Sequence, residues 1–269
     1  MENNPGPSSF VLGAVSLSGR ATPSDIIQKA MLSGFSSREA RNALKKLVDG
    51  GALEYVCENA TVYAVPSFAA PVRVGRRLFL CRPGMEYPLP FEGAIPVILR
   101  EGASFGSGRH PTTRLCLGLL EGAMDAMPED LRENALDVGT GSGVLAVAAV
   151  KLGIKRAIGL DREPDAIAEA RNNAALNGVF DRIVISGGDA GAVSGGFGLI
   201  LANLRAPTLV SLAGFFSEKL HKGGFLVVSG LHPEEADNYE AKAQTAGLRL
   251  SERRDEGAWS GLSFQKSTG

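Results

Sequence analysis

The sequence predicts an α/β protein built on a seven-stranded, mostly parallel sheet, with a small helix-rich domain ahead of it. Three observations carry this. The apolar run Ala135-Leu136-Asp137-Val138 breaks into Gly139, Gly141 and Gly143 and resumes as apolar residues from Val144, which reads as strand, tight loop, helix. Downstream, short apolar runs alternate with helix-period segments, the order that builds a parallel sheet. Two final runs, Leu248 to Arg253 and Trp259 to Gln265, form a hairpin that adds one antiparallel strand.

Taken in order, residues 1 to 9 read as a frayed arm and Phe10 to Leu17 as a short helix. Thr22-Pro23-Ser24-Asp25 opens a second helix with a hydroxyl cap and proline in the first turn, and Gly34 ends it. Ser36 with Glu39 forms a capping-box pattern for a third helix, whose apolar stripe is Ala40, Ala43, Leu44, Leu47 and Val48. Leu53 to Val56 and Thr61 to Val65 then read as a β-hairpin. Helix, turn, helix, hairpin is similar to a winged helix-turn-helix domain, and we assign it residues 1 to 68. Residues 69 to 110 are expected to be a linking subdomain and flap, with β-like pieces at Val72 to Cys81 and Ala94 to Leu99. Its arginines, Arg73, Arg76, Arg77, Arg82 and Arg100, suit a solvated edge strand guarded by charge. The flap is Phe105 to His110, two glycines beside an aromatic. Residues 111 to 269 are the α/β domain. Pro111 opens a helix through Met124; Arg156 to Leu160, Arg182 to Ser186, Leu199 to Ala202 and Phe225 to Ser229 are further strands; helices start at Pro164, Pro207 and Pro233.

The strand ends define a site. In open α/β sheets ligands sit at the carboxyl ends of the strands, and here those ends carry Asp137, Asp161, Asp189 beside Ala190, and Asn203. Gly139, Gly141 and Gly143 admit positive φ and let a ligand lie against bare main chain. Their spacing is Gly-x-Gly-x-Gly, which departs from the dinucleotide pattern Gly-x-Gly-x-x-Gly. Asp161 lies 18 residues past Gly143, near the distance at which an acid meets a ribose hydroxyl pair. Acidic groups around one pocket repel a pyrophosphate and suit a cation. S-adenosylmethionine, with its sulfonium and ammonium charges, fits such a pocket; the glycine spacing and the acidic strand ends count against the competing reading of a nicotinamide dehydrogenase. Each carboxylate taken singly also suits a helix cap or turn.

The runs Phe105-Gly106-Ser107-Gly108-Arg109-His110-Pro111-Thr112-Thr113, Leu136-Asp137-Val138-Gly139-Thr140-Gly141-Ser142-Gly143 and Asn203-Leu204-Arg205-Ala206 resemble the PrmA-type bacterial methyltransferases of the ribosomal protein L-eleven. The resemblance runs from about Pro71 to Lys266. It implies the Rossmann-like class I fold of S-adenosylmethionine-dependent methyltransferases and donor contacts at Thr113, Gly139, Asp161 and Asn203. It also implies an amine acceptor on a protein substrate, a ribosomal protein. Leu204-Arg205 stands where the family usually has Ile-Leu, and residues 1 to 68 do not look like the family's substrate domain. On this reading Thr113 and Asp137 hold the amino-acid end of the donor, Asp161 the ribose and Asp189, with Ala190, the adenine. Gly139, Gly141 and Gly143 form the cradle, and Phe105 in the flap touches the cofactor. Asn203 orients the acceptor amine; for His110, the histidine near the site, taking its proton and a structural role before Pro111 both stay open.

Composition bounds the partners. Apolar residues make up 44% and charged residues 21% of the 269-residue chain, an ordinary globular balance, and the net charge is −1. That argues against whole-surface attraction to nucleic acid or anionic membrane. In residues 1 to 68, Lys or Arg at 20, 29, 38, 41, 45 and 46 are matched by Asp or Glu at 2, 25, 39, 49, 54 and 58. Such neutrality favours a protein-contact role for that domain over nucleic-acid binding. Cys57, Cys81 and Cys116 share no short spacing, so neither a disulfide framework nor a metal site is expected, and a reducing cytoplasm follows. The amino terminus is a poor signal peptide and no run is long enough to span a membrane. Two further readings stay open: methylation of RNA or a small molecule, and a donor-sensing winged-helix regulator that binds DNA.

Overall fold

The computed structural model describes residues 6–18, 20–58, 60–67, 71–84, 92–100, 106, 108 and 110–268. The amino-terminal unit comprises α1 (Pro7–Ser18), α2 (Pro23–Leu32), α3 (Ser37–Asp49) and the antiparallel hairpin β1 (Leu53–Glu58) and β2 (Thr61–Pro66). The cap signals act as expected. Thr22 Oγ accepts from the Asp25 amide at 3.1 Å, and Ser36 and Glu39 form a reciprocal capping box. Val11, Val15, Ile26, Ala43, Leu44, Leu53 and Ala64 close its small core, and Ala21 bridges to Ala64 beside the hairpin.

A three-stranded sheet follows, β3 (Val72–Arg73), β4 (Leu78–Cys81) and β5 (Ile95–Ile98), with β4 in the middle. The sequence points here to a charge-guarded edge strand, and the structure differs. All four residues of β4 are buried, and Val74, Leu78, Leu80, Val97 and Leu99 share one core with the α/β unit. The cause is Glu121, a buried carboxylate on α4 (Pro111–Ala126). It accepts the backbone N–H groups of Arg76, Arg77 and Leu78, the latter two at 2.8 Å, and so ties the turn before β4 to the helix. Gly75 allows this approach, since a Cβ there would lie 2.6 Å from the Glu121 carboxylate. Arg76 and Arg77 then pair with Asp125 one turn on.

The large sheet contains β6 (Asn134–Val138), β7 (Arg156–Leu160), β8 (Ile183–Ser186), β9 (Phe197–Asn203), β10 (Leu220–Leu231), β11 (Leu248–Glu256) and β12 (Trp259–Lys266). Their order is β11-β12-β10-β9-β6-β7-β8, and β12 alone runs against its neighbours. Helices α5 (Val144–Lys151), α6 (Pro164–Leu176), α7 (Ala206–Lys219) and α8 (Pro233–Thr245) connect the strands. Successive strand residues face opposite layers, as the pleat requires. Leu199, Leu201, Phe225 and Val227 pack with α4 and α5, whereas Ile200, Ala202, Leu226 and Val228 pack with α7 and α8. Two-sided burial explains why these strands read as continuous apolar runs. Strand β9 begins two residues before the apolar run because Phe197 pairs with Leu220, and the weak strand former Gly198 is needed there since a Cβ would lie 1.7 Å from the Leu131 carbonyl oxygen.

Candidate functional site

The loop between β6 and α5 is shaped by Gly139, Gly141 and Gly143, at φ 73°, 53° and 79°. Any side chain would strain this left-handed backbone. The Gly139 and Thr140 amides both donate to the Leu160 carbonyl at 2.8 Å, which seats the loop on the end of β7. Asp161, the next residue, is held by two main-chain donors: Oδ2 accepts from the Gly141 amide at 2.8 Å and Oδ1 from the Glu163 amide at 3.1 Å. Its carboxylate is thereby oriented before any ligand arrives.

A cavity of about 880 Å³ opens above this loop. Of the residues the sequence singles out, Gly139, Gly141, Asp161, Asn203 and His110 line it. Thr113 is fully buried behind it and touches the site through Asn203, whose Nδ2 donates to Thr113 Oγ at 3.4 Å. Gly143 sits against Ala170 at the start of α5 and shapes the loop from beneath. Phe105 lies outside the described residues. The described part of the flap is tethered, for the Gly106 carbonyl accepts from Ser142 Oγ at 2.9 Å.

The structure moves Asp137 from the lining to the support. Its carboxylate is 1% exposed, and Oδ2 accepts from Thr140 Oγ at 2.7 Å and the Ala146 amide at 3.2 Å. Burial pushes this acid up to about 7; the two hydrogen bonds pull it down and the nearby Asp161 charge adds to the rise. Asp137 Oδ1 has no hydrogen-bond partner among the described residues. Asp189 and Ala190 are not among the residues that line this cavity. Asp189 caps the short turn after β8 through the Gly191 amide and pairs with Arg162 at 3.2 Å, while Ala190 belongs to the α7/α8 core. The acidic character survives on other residues, because Glu163, Asp165 and Glu235 line the cavity beside Asp161.

His110 is spent as a helix cap. Its Nδ1 lies 2.8 Å from Thr112 Oγ and accepts from the Thr112 amide at 3.3 Å. Burial first, then the Arg114 and Arg20 charges, holds the ring below its ordinary 6.5. With Nδ1 beside Thr112 and the ring held below its ordinary value, His110 is a weak proton acceptor. Sequence reasoning missed the wall this ring belongs to. Trp259 stacks on His232 with centroids 4.4 Å apart and meets the His110 edge at 5.0 Å. Three elements distant in sequence, the starts of α4, α8 and β12, meet there. The single tryptophan of the chain was the available signal.

The model of the family described as ribosomal protein L11 methyltransferase (PrmA) matches residues 54–267. The chain belongs to that family. It is similar to the ribosomal protein L11 methyltransferase of Pelobacter propionicus, 42% identical over 197 residues that cover 73% of this chain and 63% of the relative. The corresponding protein of Geobacter metallireducens is 43% identical over 196 residues, again covering 73% of this chain and 62% of the relative. The chain therefore spans a little under two thirds of the length of these curated relatives. Among solved structures it resembles the ribosomal protein L11 methylase of Lactobacillus delbrueckii subsp. bulgaricus, with a TM-score of 0.65 and 29% identity over 73% of this chain and 98% of that one. Both the glycine loop and the Asn203 segment fall inside the family match; α1, α2 and α3 fall before it.

Proposed function

We propose that this chain is an S-adenosylmethionine-dependent methyltransferase that N-methylates amine groups of a protein of the large ribosomal subunit, acting in the cytoplasm. The observation that supports this most is the meeting, in one cavity, of the glycine loop with Asp161 on one side and Asn203 with the Trp259 wall on the other. Among the described residues no helix is long and apolar enough to cross a membrane. The residues fit the donor: the loop offers bare main chain, Asp161 is a pre-oriented acceptor for hydroxyls, and the surrounding carboxylates favour a cation. When bound, S-adenosylmethionine supplies an electrophilic methyl on a positively charged sulfur.

The protein's part is then positioning. With its Nδ2 engaged by Thr113, Asn203 keeps Oδ1 free to accept an amine proton and aim the nitrogen lone pair. An attacking amine must be neutral, and a free lysine has a pKa of about 10.4. Desolvation against Trp259 favours the neutral form. Glu163, Asp165 and Glu235 draw the cationic side chain to the cavity first.

Isotope-labelled donor incubated with dissociated large subunits, followed by peptide mapping, tests the acceptor; label on RNA and none on protein overturns the reading. Asn203→Ala is expected to lower kcat about 100-fold while donor affinity, by calorimetry, changes less than about threefold. Equal loss of both would make Asn203 a donor contact.

A further inference from the structure

We propose that the outer face of α3 is a docking surface for the phosphate backbone of duplex DNA. Helix α3 turns Ala40, Ala43 and Leu44 into the small core and leaves Arg38, Arg41, Asn42, Lys45 and Lys46 exposed. Their spacing of three and four places them on one stripe that is about 12 Å long at 1.5 Å per residue.

The near-zero net charge of this region hides how the charge is distributed. Glu39 is engaged by Ser36 in the capping box, and Glu54 pairs with Arg82 at 2.7 Å. Arg38, Arg41, Lys45 and Lys46 have neither an ion pair nor a side-chain hydrogen bond among the described residues. Asp49, at the carboxyl end of the stripe, is the acid that remains beside them. Elsewhere on the surface cations are repeatedly paired: Arg76 and Arg77 with Asp125, Arg114 with Glu256, Lys155 with Glu133, Arg253 with Asp237 and Arg254 with Glu252. Like charges three and four apart repel along a helix, so the α3 stripe carries a standing cost that a row of anions relieves.

The composition of the stripe selects the partner. Protein interfaces have an apolar core and are poor in lysine, and this stripe is wholly polar. A polyphosphate needs cations at regular spacing and no apolar centre. A helix of this kind, set beside a hairpin, is also the element that enters a nucleic-acid groove. The hairpin adds Tyr55 and Val62, 48% and 47% exposed, beside it. This inference stands apart from the methyltransferase reading, since none of these residues lines the cavity.

The test uses the full chain, with fluorescence anisotropy on a 20-base-pair duplex, as RNA and as DNA of the same sequence. If four phosphates are contacted, log affinity should fall with log salt at a slope of about −3 to −4. The quadruple variant R38Q/R41Q/K45Q/K46Q should lose at least about tenfold in affinity at low salt and most of that slope. Circular dichroism checks its fold; if it is unfolded, K45Q/K46Q replaces it and should lose about half the slope. Tighter binding to the DNA duplex is expected, since its major groove admits a helix, and tighter binding to the RNA duplex overturns the proposal. No binding at about 50 mM salt, or unchanged affinity and slope in the folded variant, overturns it. Capture of an acidic protein through the same residues without nucleic-acid binding overturns it as well.

Discussion

The amino-terminal unit and the α/β unit are stabilised in different ways. In the first, local signals dominate: two N-caps, a capping box and a core of small aliphatic residues, with Met31, Leu32, Tyr55 and Val62 left exposed. In the second, stability comes from residues far apart in sequence. Strands β6 and β9 pair across more than sixty residues, and buried polar groups such as Glu121 and Asn173 each hold distant backbone. The lesson is that the unit with weak long-range ties carries the free surface, and the unit with strong ones carries the cavity. Chemistry that needs atoms held in place is built where the backbone is over-determined.

That contrast can be broken at several points. Asp161→Ala should have the largest effect, lowering donor affinity by about 100-fold or more, because two amide-anchored acceptor oxygens are lost together. Calorimetry measures it, and unchanged affinity would remove Asp161 from the site. Glu121→Ala should destabilise the α/β unit by about 3 kcal/mol, since three backbone donors lose their acceptor at once. Urea unfolding reads this; a change below about 1 kcal/mol would mean that β4 is held by packing alone.

Asp137 offers a pH test of the same unit. Its folded pKa, near 7, lies above the ordinary 3.8, so the folded protein keeps a proton that the unfolded chain has released. The stabilisation it contributes is complete below about pH 4 and is lost as pH rises through about 7. Asp137→Asn should flatten stability across that window, measured by melting at a series of pH values. An unchanged pH profile would show that the acid is ionised in the fold. The smallest effect is expected in the amino-terminal unit. Thr22→Ala should cost about 1 kcal/mol there and leave donor affinity untouched. A loss of donor affinity in Thr22→Ala would show that the two units are energetically coupled.

Much of the site was legible in residues 134 to 203. Gly139, Gly141, Asp161 and Asn203 could be read because strand ends announce themselves by a switch from apolar to glycine, acid or amide. Asp137 and Asp189 ended their runs in the same way, yet one is buried and the other caps a turn. Pattern shows which residues reach the edge of a sheet; it does not show which way the side chain points from there. The flap gave a similar result. His110 was visible as a titratable group, and its commitment to Thr112 was not.

The sequence by itself determined the elements, their order and the chemical character of the strand ends, because caps, glycines and apolar periods act over a few residues. Only the tertiary structure decided that Trp259, His232 and His110 form one wall, that Glu121 binds the small sheet into the core, and that α3 keeps its cations unpaired among the described residues. These depend on contacts between segments tens to more than a hundred residues apart, and no local pattern encodes such distances.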